Sequence, residues 1–170
     1  MMVGLFWIDR DGCWLGAPPG KKGTGVRLTD EGLEAVGVSP ADPLEWTRVE
    51  RVVVPDAPVR SAFRRGLSTA VSVATAAAGF GGPDVPPQMT VEVTYAGGAG
   101  EHAVSSAAWP AYTEREVALS HRLLERFVTG ELSPSLLTDW WRSVGPDADP
   151  RPAEREAVLE WLLDPGDRQA

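Results

Sequence analysis

Two aspartates one residue apart, Asp9 and Asp11, lie directly before Gly12 in the stretch FWIDRDGCWLG. Similar spacing occurs in EF-hand calcium loops, which also need an oxygen ligand at position 5, a glycine at position 6 and a glutamate at position 12. Counting from Asp9 places a cysteine at position 5 and a tryptophan at position 6, so the ligand set is incomplete. Asp-Gly between apolar runs is typical of a hairpin turn. We therefore predict a β-hairpin, with strands over about 5–9 and 13–15.

The stretch GAPPGKKG invites comparison with a phosphate-binding loop. That motif needs four residues between its glycines and a hydroxyl after its lysine. Here Gly16 and Gly20 enclose three residues, and Lys22 stands where the hydroxyl should be. No helix pattern follows that could direct backbone amides at a phosphate. The sequence therefore predicts a surface loop with two solvated lysines rather than a nucleotide site.

Nucleophilic and metal chemistry would need cysteine, histidine or serine in suitable arrangements. His102 and His121 have no metal-ligand spacing between them. Ser120 adjoins His121, but neighbours on a helix point about 100° apart and cannot form a catalytic hydrogen bond. Cys13 is the single cysteine and is predicted to be a small buried residue. We predict no catalytic residue, no metal site and no cofactor.

The charge distribution restricts the kinds of partner. The net charge is −8, and residues 113–170 hold twelve acidic and seven basic residues. Such a balance argues against nucleic acid and against an anionic membrane surface, because both require a basic footprint. The least polar stretch, 66–82, consists mainly of small residues and is too weakly apolar for a transmembrane segment. With one cysteine and no signal-peptide pattern, the sequence predicts a cytoplasmic protein.

Periodicity indicates which elements would position these residues. Alternating or β-branched runs predict strands in VRLT, LEAV, PLEWTRVERVVV, MTVEVTY and EHAVSS, which with the first hairpin makes about seven. A helical insert is predicted within about 58–88, with its helix over about 58–78. Thr113 and Glu116 form a capping box that begins an amphipathic helix over 113–129. Two short helices over 132–164, the first with Ser133 as N-cap, and a disordered tail over 165–170 complete the chain.

This order predicts an α+β, mainly β fold: a small antiparallel barrel or sandwich of about seven strands, closed by the amphipathic helix. GTGVRLTDEGLEAVG followed by PLEWTRVERVVV resembles bacterial pleckstrin-homology-like and GRAM-like domains, and the likeness would cover residues 3–130. The resemblance implies binding of proteins, peptides or lipid headgroups rather than catalysis. It also implies a basic loop between early strands, for which Lys21, Lys22 and Arg27 are the nearest match.

Three tryptophans near the C-terminus suggest a function. Trp140 and Trp141 are neighbours on one predicted helix, and Trp161 lies on the next. Tryptophan is enriched among the residues that dominate protein interfaces, although all three could equally pack within the chain. We expect a non-catalytic interaction domain that binds a protein partner or forms a homo-oligomer through these residues. The alternatives are a peripheral anion or phospholipid-headgroup site at the basic loop, and an enzyme built on dispersed carboxylates.

Overall fold

The computed structural model describes residues 1–20, 23–37, 43–60, 87–108, 111–146 and 148–164. Within these ranges the fold is α+β and mainly sheet, with nine strands in two antiparallel sheets and three α-helices. The first sheet is a meander of β1 (Met2–Val3), β2 (Phe6–Asp9), β3 (Gly12–Leu15), β4 (Gly25–Leu28), β5 (Gly32–Val36) and β6 (Leu44–Glu45). The second contains β7 (Val49–Val53), β8 (Gln88–Tyr95) and β9 (Gly98–Ser105). Helices α1 (Glu114–Val128), α2 (Ser135–Val144) and α3 (Pro152–Leu163) follow.

The predicted first hairpin is present. Asp9 pairs with Gly12 across β2 and β3, and the Asp9 carboxylate accepts the Asp11 backbone N–H at 2.8 Å. Gly12 adopts a φ of +135°, which a residue with a side chain rarely adopts. The two aspartates therefore shape a turn. The side chains that alternate toward the interior are Phe6, Ile8, Cys13 and Leu15, each at most 1% exposed.

The β-branched run before Pro55 forms the predicted strand, and the segment PLEWTRVERVVV that contains it forms three elements. These are β6, a 3-10 helix over Trp46–Arg48, and then β7 in the other sheet. Trp46 explains the break, because its indole N–H donates to the Thr29 carbonyl at 2.8 Å and its ring packs on Phe127, with centroids 6.2 Å apart. These contacts hold the chain at the point where it passes between the sheets.

The sheets do not close into a barrel within the described ranges, so of the two predicted arrangements, barrel or sandwich, the barrel is not formed there. The described strands number nine rather than about seven. They meet beside β9 through two long-range hydrogen bonds. The Ala17 N–H donates to the Ser105 carbonyl at 2.7 Å, and the Thr24 hydroxyl donates to the Ala103 carbonyl at 2.7 Å. A gap remains between the sheets on the side of the β8–β9 turn.

Helix α1 begins with the predicted capping box. Thr113 accepts the Glu116 N–H at 3.0 Å, and the Glu116 carboxylate accepts the Thr113 N–H at 2.7 Å. The helix buries Leu119, Leu123, Leu124 and Phe127 in the core that both sheets share. The predicted helical insert falls largely on 61–86 and the tail on 165–170, which lie outside the described residues.

The two C-terminal helices join the same core. Leu137 of α2 and Leu159 and Leu162 of α3 are fully buried in the cluster that contains the sheet residues. Ser133 is not the N-cap of α2, contrary to the prediction. The Asp30 carboxylate, from the β4–β5 turn, accepts the Ser135 N–H at 2.9 Å instead. No helix in the part of the chain that the structure describes is long and apolar enough to cross a membrane.

Candidate functional site

An open groove of about 270 Å³ lies in the gap between the two sheets. The first sheet contributes one wall, and β8, β9 and the 3-10 helix contribute the other. Most of the lining is apolar, and three polar residues, Arg48, Tyr95 and His102, join it. The apolar lining consists of Val26, Leu33, Ala35, Pro43, Leu44 and Val93, with Gly100 between the polar groups.

Strand register explains why these residues share the groove. Val93 pairs with Gly100 and Tyr95 pairs with Gly98, so both strands direct these positions to one face of the second sheet. His102 shares that face because it lies two residues beyond Gly100. Its side chain is half-buried in the groove.

The polar groups of the groove are cationic or neutral. Arg48, Tyr95 and His102 make no side-chain hydrogen bond or ion pair within the described ranges, and no acidic residue contributes to the lining there. Burial lowers the pKa of His102, which favours the neutral imidazole at pH 7. The arrangement can therefore hold an apolar group and offer hydrogen-bond donors and one positive charge. The described part of its lining contains no carboxylate.

The predicted basic loop is only partly described. Lys21 and Lys22 lie outside the described residues. The Arg27 guanidinium is engaged locally, since it donates to the Asp11 carbonyl at 2.6 Å, lies 3.6 Å from Glu34 and stacks 5.9 Å from the Trp14 ring centre. Arg27 therefore stabilises the outer surface of the first sheet.

The structure separates the three C-terminal tryptophans. Trp140 and Trp141 are half-buried and pack against the core from helix α2. Trp161 is 39% exposed on α3. It and Val144, at 46%, are the exposed large hydrophobic residues of the described ranges. Of the three predicted interface residues, Trp161 is the most accessible to a partner.

Helix α3 is apolar on two faces. Leu159, Leu162 and Leu163 face the core, whereas Ala153, Ala157 and Trp161 recur every four residues along the outside and are exposed. We call this second row the α3 stripe. A helix that is apolar on opposite sides is normally covered on both. Here the described residues cover one side.

A buried ion pair holds α3 in place. Glu116 of α1 is fully buried, and its carboxylate accepts a hydrogen bond from Arg155 of α3, which is 7% exposed. Arg155 also donates to the Pro150 carbonyl at 2.9 Å. This pair was not predicted, although the sequence contains a signal for it. Glu116 shares its helix face with Leu119 and Leu123, and Arg155 shares its face with Leu159 and Leu162, so each charge occupies a core position.

The remaining chemical candidates have structural roles. Burial raises the pKa of the Cys13 thiol, which disfavours the reactive thiolate. His121 accepts the Val54 backbone N–H through Nε2 at 3.1 Å, joining α1 to the end of β7. The described residues contain no group of three or more His, Cys, Asp or Glu side chains that could hold a metal ion.

Comparison of the chain with protein-family models, with curated proteins and with solved structures finds no match. The pleckstrin-homology-like resemblance therefore stays a prediction. The case for a function depends on the geometry of the groove and of the α3 stripe.

Proposed function

We propose that this chain is a non-catalytic, cytoplasmic protein-interaction domain and that its partner binds the α3 stripe. One observation carries the proposal: α3 has apolar residues on two faces, and its outer row ends in an exposed tryptophan. Apolar residues at i, i+4 and i+8 are the anchors with which a helix docks into an apolar groove of a partner. Trp161 contributes the largest share of the binding energy, since tryptophan is enriched among the residues that dominate interfaces.

The charges beside the stripe indicate the chemistry of the partner. Glu154 and Glu160 are exposed on α3, and Asp164 is exposed directly after its last residue. The partner is therefore a protein with an apolar groove edged by lysine or arginine. A second copy of this chain would place acidic rims against each other, and like charges facing each other oppose association. This favours a different protein over a homo-oligomer.

Helix α3 is well positioned before any partner arrives. Besides the buried ion pair of Glu116 and Arg155, the Thr113 hydroxyl donates to Glu156 at 2.5 Å, and Arg115 pairs with Glu160. A rigid surface loses little conformational freedom on binding, so more of the contact energy appears as affinity.

The arrangement of strands supports a pleckstrin-homology-like sandwich as the scaffold. Four longer strands, β2–β5, precede the three of the second sheet, and α1 then covers the core. That order matches the topology that the sequence resemblance implies. In this scaffold β1, β6, α2 and α3 are additions, and the last of them carries the interaction surface.

The test uses point variants, because deleting the C-terminal helices would remove Arg155 and leave Glu116 buried without its cation. The full chain is cross-linked and purified from its native host, and the captured protein is identified and purified. Its affinity is then measured by calorimetry for the unchanged chain and for Trp161→Ser and Ala157→Glu. Each variant is expected to weaken binding, Trp161→Ser by about 30-fold or more. Val144→Ser, equally exposed but on α2, is the matched control.

Circular dichroism of each variant verifies that the fold is kept. Light scattering should give the monomer mass at all protein concentrations in the absence of the partner. Unchanged affinity of both α3 variants would refute the proposal. A concentration-dependent dimer that Trp161→Ser abolishes would replace the foreign partner with a second copy.

A further inference from the structure

The groove between the sheets is a different surface from the α3 stripe and has the size of a small-molecule site. Its volume of about 270 Å³ is close to the ~300 Å³ lower limit of common ligand pockets. The walls come from both sheets and are mostly aliphatic. The groove therefore fits a compact apolar group.

Gly100 has no side chain, which keeps part of the groove open. A Cβ placed on Gly100 would lie 3.7 Å from His102 Nε2 and 3.9 Å from Tyr95 Cε1. The imidazole and the phenol ring therefore border the space above the Gly100 backbone. An alanine would fit there at ordinary contact distances, whereas a larger side chain would project into the groove. Gly100 and its neighbours thus form a cradle at the polar end of the groove.

The charge of the lining indicates what the polar end binds. The protein carries a net charge of −8, yet the described lining contains one arginine and no acid. The Arg48 guanidinium makes no ion pair in the described part of the chain, and the Tyr95 hydroxyl and His102 imidazole make no hydrogen bond there. Unpaired donors beside apolar walls complement a molecule with one anionic end and an apolar body.

We propose that this groove binds a small monocarboxylate with an aliphatic body, whose carboxylate pairs with Arg48 and whose chain lies between the sheets. Tyr95 and His102 donate hydrogen bonds to the same carboxylate from above Gly100. A carboxylate fits this set because guanidinium and carboxylate form paired, charge-assisted hydrogen bonds.

The pH dependence of binding follows from His102. Burial lowers the pKa of this imidazole, so it is neutral at pH 7 and becomes a second cation as the pH falls. The other charged or titratable side chains of the described lining are Arg48 and Tyr95, and no acid lies among them. A carboxylic acid with a pKa near ~4.5 stays mostly ionised in that range. Affinity is therefore expected to rise as the pH is lowered from 7 toward 5.5.

The probe is octanoate, with 1-octanol as its uncharged counterpart, and binding is followed by calorimetry and by amide NMR shifts. Octanoate is expected to saturate one site at about 1 mM or tighter, with shifts at Gly100 and His102. Arg48→Gln should weaken octanoate about tenfold or more and leave octanol within about twofold. Arg51→Gln removes an exposed arginine that does not line the groove and should change neither.

Gly100→Val fills the cradle and should weaken both probes. Gly100→Ala, which fits at ordinary distances, verifies that a side chain on this strand is compatible with folding. Absence of saturable octanoate binding would overturn the proposal. So would octanoate binding that Gly100→Val leaves unchanged, or an equal loss of octanoate and octanol affinity in Arg48→Gln.

Discussion

Replacing Arg155 by methionine should destabilise the protein far more than any surface substitution. Glu116 is fully buried, and each of its two oxygens has one partner: Arg155 bonds one, and the Thr113 N–H bonds the other. Methionine fills much of the arginine volume but supplies no cation, so a buried carboxylate would lose its compensating charge. Removing one member of a buried ion pair costs about 3–5 kcal/mol.

The effect is measured by urea unfolding at pH 7, followed by circular dichroism. For a domain of this size, 3–5 kcal/mol corresponds to a fall of roughly 6–20 °C in the melting temperature. Arg115→Met is the matched control on the same pair of helices. Its ion pair with Glu160 is exposed, 63% and 46% for the two side chains, and solvent screens it, so the expected loss is much smaller than for Arg155→Met.

A double variant separates charge from packing. Glu116→Gln can still accept the Thr113 N–H, and combined with Arg155→Met it leaves no buried charge. The double variant should therefore be more stable than Arg155→Met alone, which gives a coupling energy between the two sites. A loss in Arg155→Met no larger than in Arg115→Met would refute the role assigned to this pair.

Three further predictions concern single contacts, each measured as a change in the free energy of unfolding. Asp30→Ala removes the cap of α2 and should cost about 1 kcal/mol, with a smaller loss for Asp30→Asn, which keeps an acceptor. Burial, with Arg51 assisting and Glu125 opposing, lowers the pKa of His121, whose neutral imidazole accepts the Val54 N–H. The stability that this bond contributes is fully present above the pKa of ~6.5 that histidine has in the unfolded chain, and it is lost as the pH falls through the lower pKa of the folded state. The difference in unfolding free energy between the unchanged chain and His121→Phe should therefore shrink between pH 7 and 5. Gly4→Ala should destabilise the protein more than Gly97→Ala. Both glycines have positive φ, but only at Gly4 would an added Cβ meet a facing side chain, the Ser120 hydroxyl. Equal losses would contradict this close approach.

Burial also opposes ionisation of Asp30, but the hydrogen bonds from Ser133 and Ser135 outweigh it and lower its pKa. The cap therefore stabilises the protein at neutral pH, and its contribution disappears as acid titrates the carboxylate below about pH 4. Asp30→Ala and the unchanged chain should converge in stability over that acidic range.

The local sequence pattern was sufficient to predict an element wherever that element is determined by its own residues. The β8–β9 hairpin alternates strictly, the box at Thr113 and Glu116 begins α1, and the turn before Gly12 needs only an Asp-Gly pair. Prediction was wrong where a distant contact outweighs local preference. Asp30, rather than the predicted Ser133, caps a helix more than a hundred residues away. The 3-10 turn at Trp46, which is held by Thr29 and Phe127, also had no signal in the sequence.

The candidate sites also divide into features that local sequence indicates and features that depend on tertiary packing. Trp161 was identified from its residue type, but Trp140 and Trp141 share that type and pack inward, since only the docking of α2 decides which side is covered. The groove had no sequence signal. Arg48 lies in the 3-10 helix, Gly100 and His102 lie in β9, and the apolar wall comes from the other sheet, so no short stretch of sequence contains the groove.

The sequence alone determined that the chain combines short antiparallel strands with a capped amphipathic helix, because hydrogen bonding and burial within an element follow from the spacing of its own side chains. The tertiary structure decided the rest. It placed the sheets with a gap between them, paired Glu116 with Arg155, and left one apolar side of α3 exposed. These features depend on how the elements pack. The spacing of residues within one element does not specify which face of a distant element it will contact.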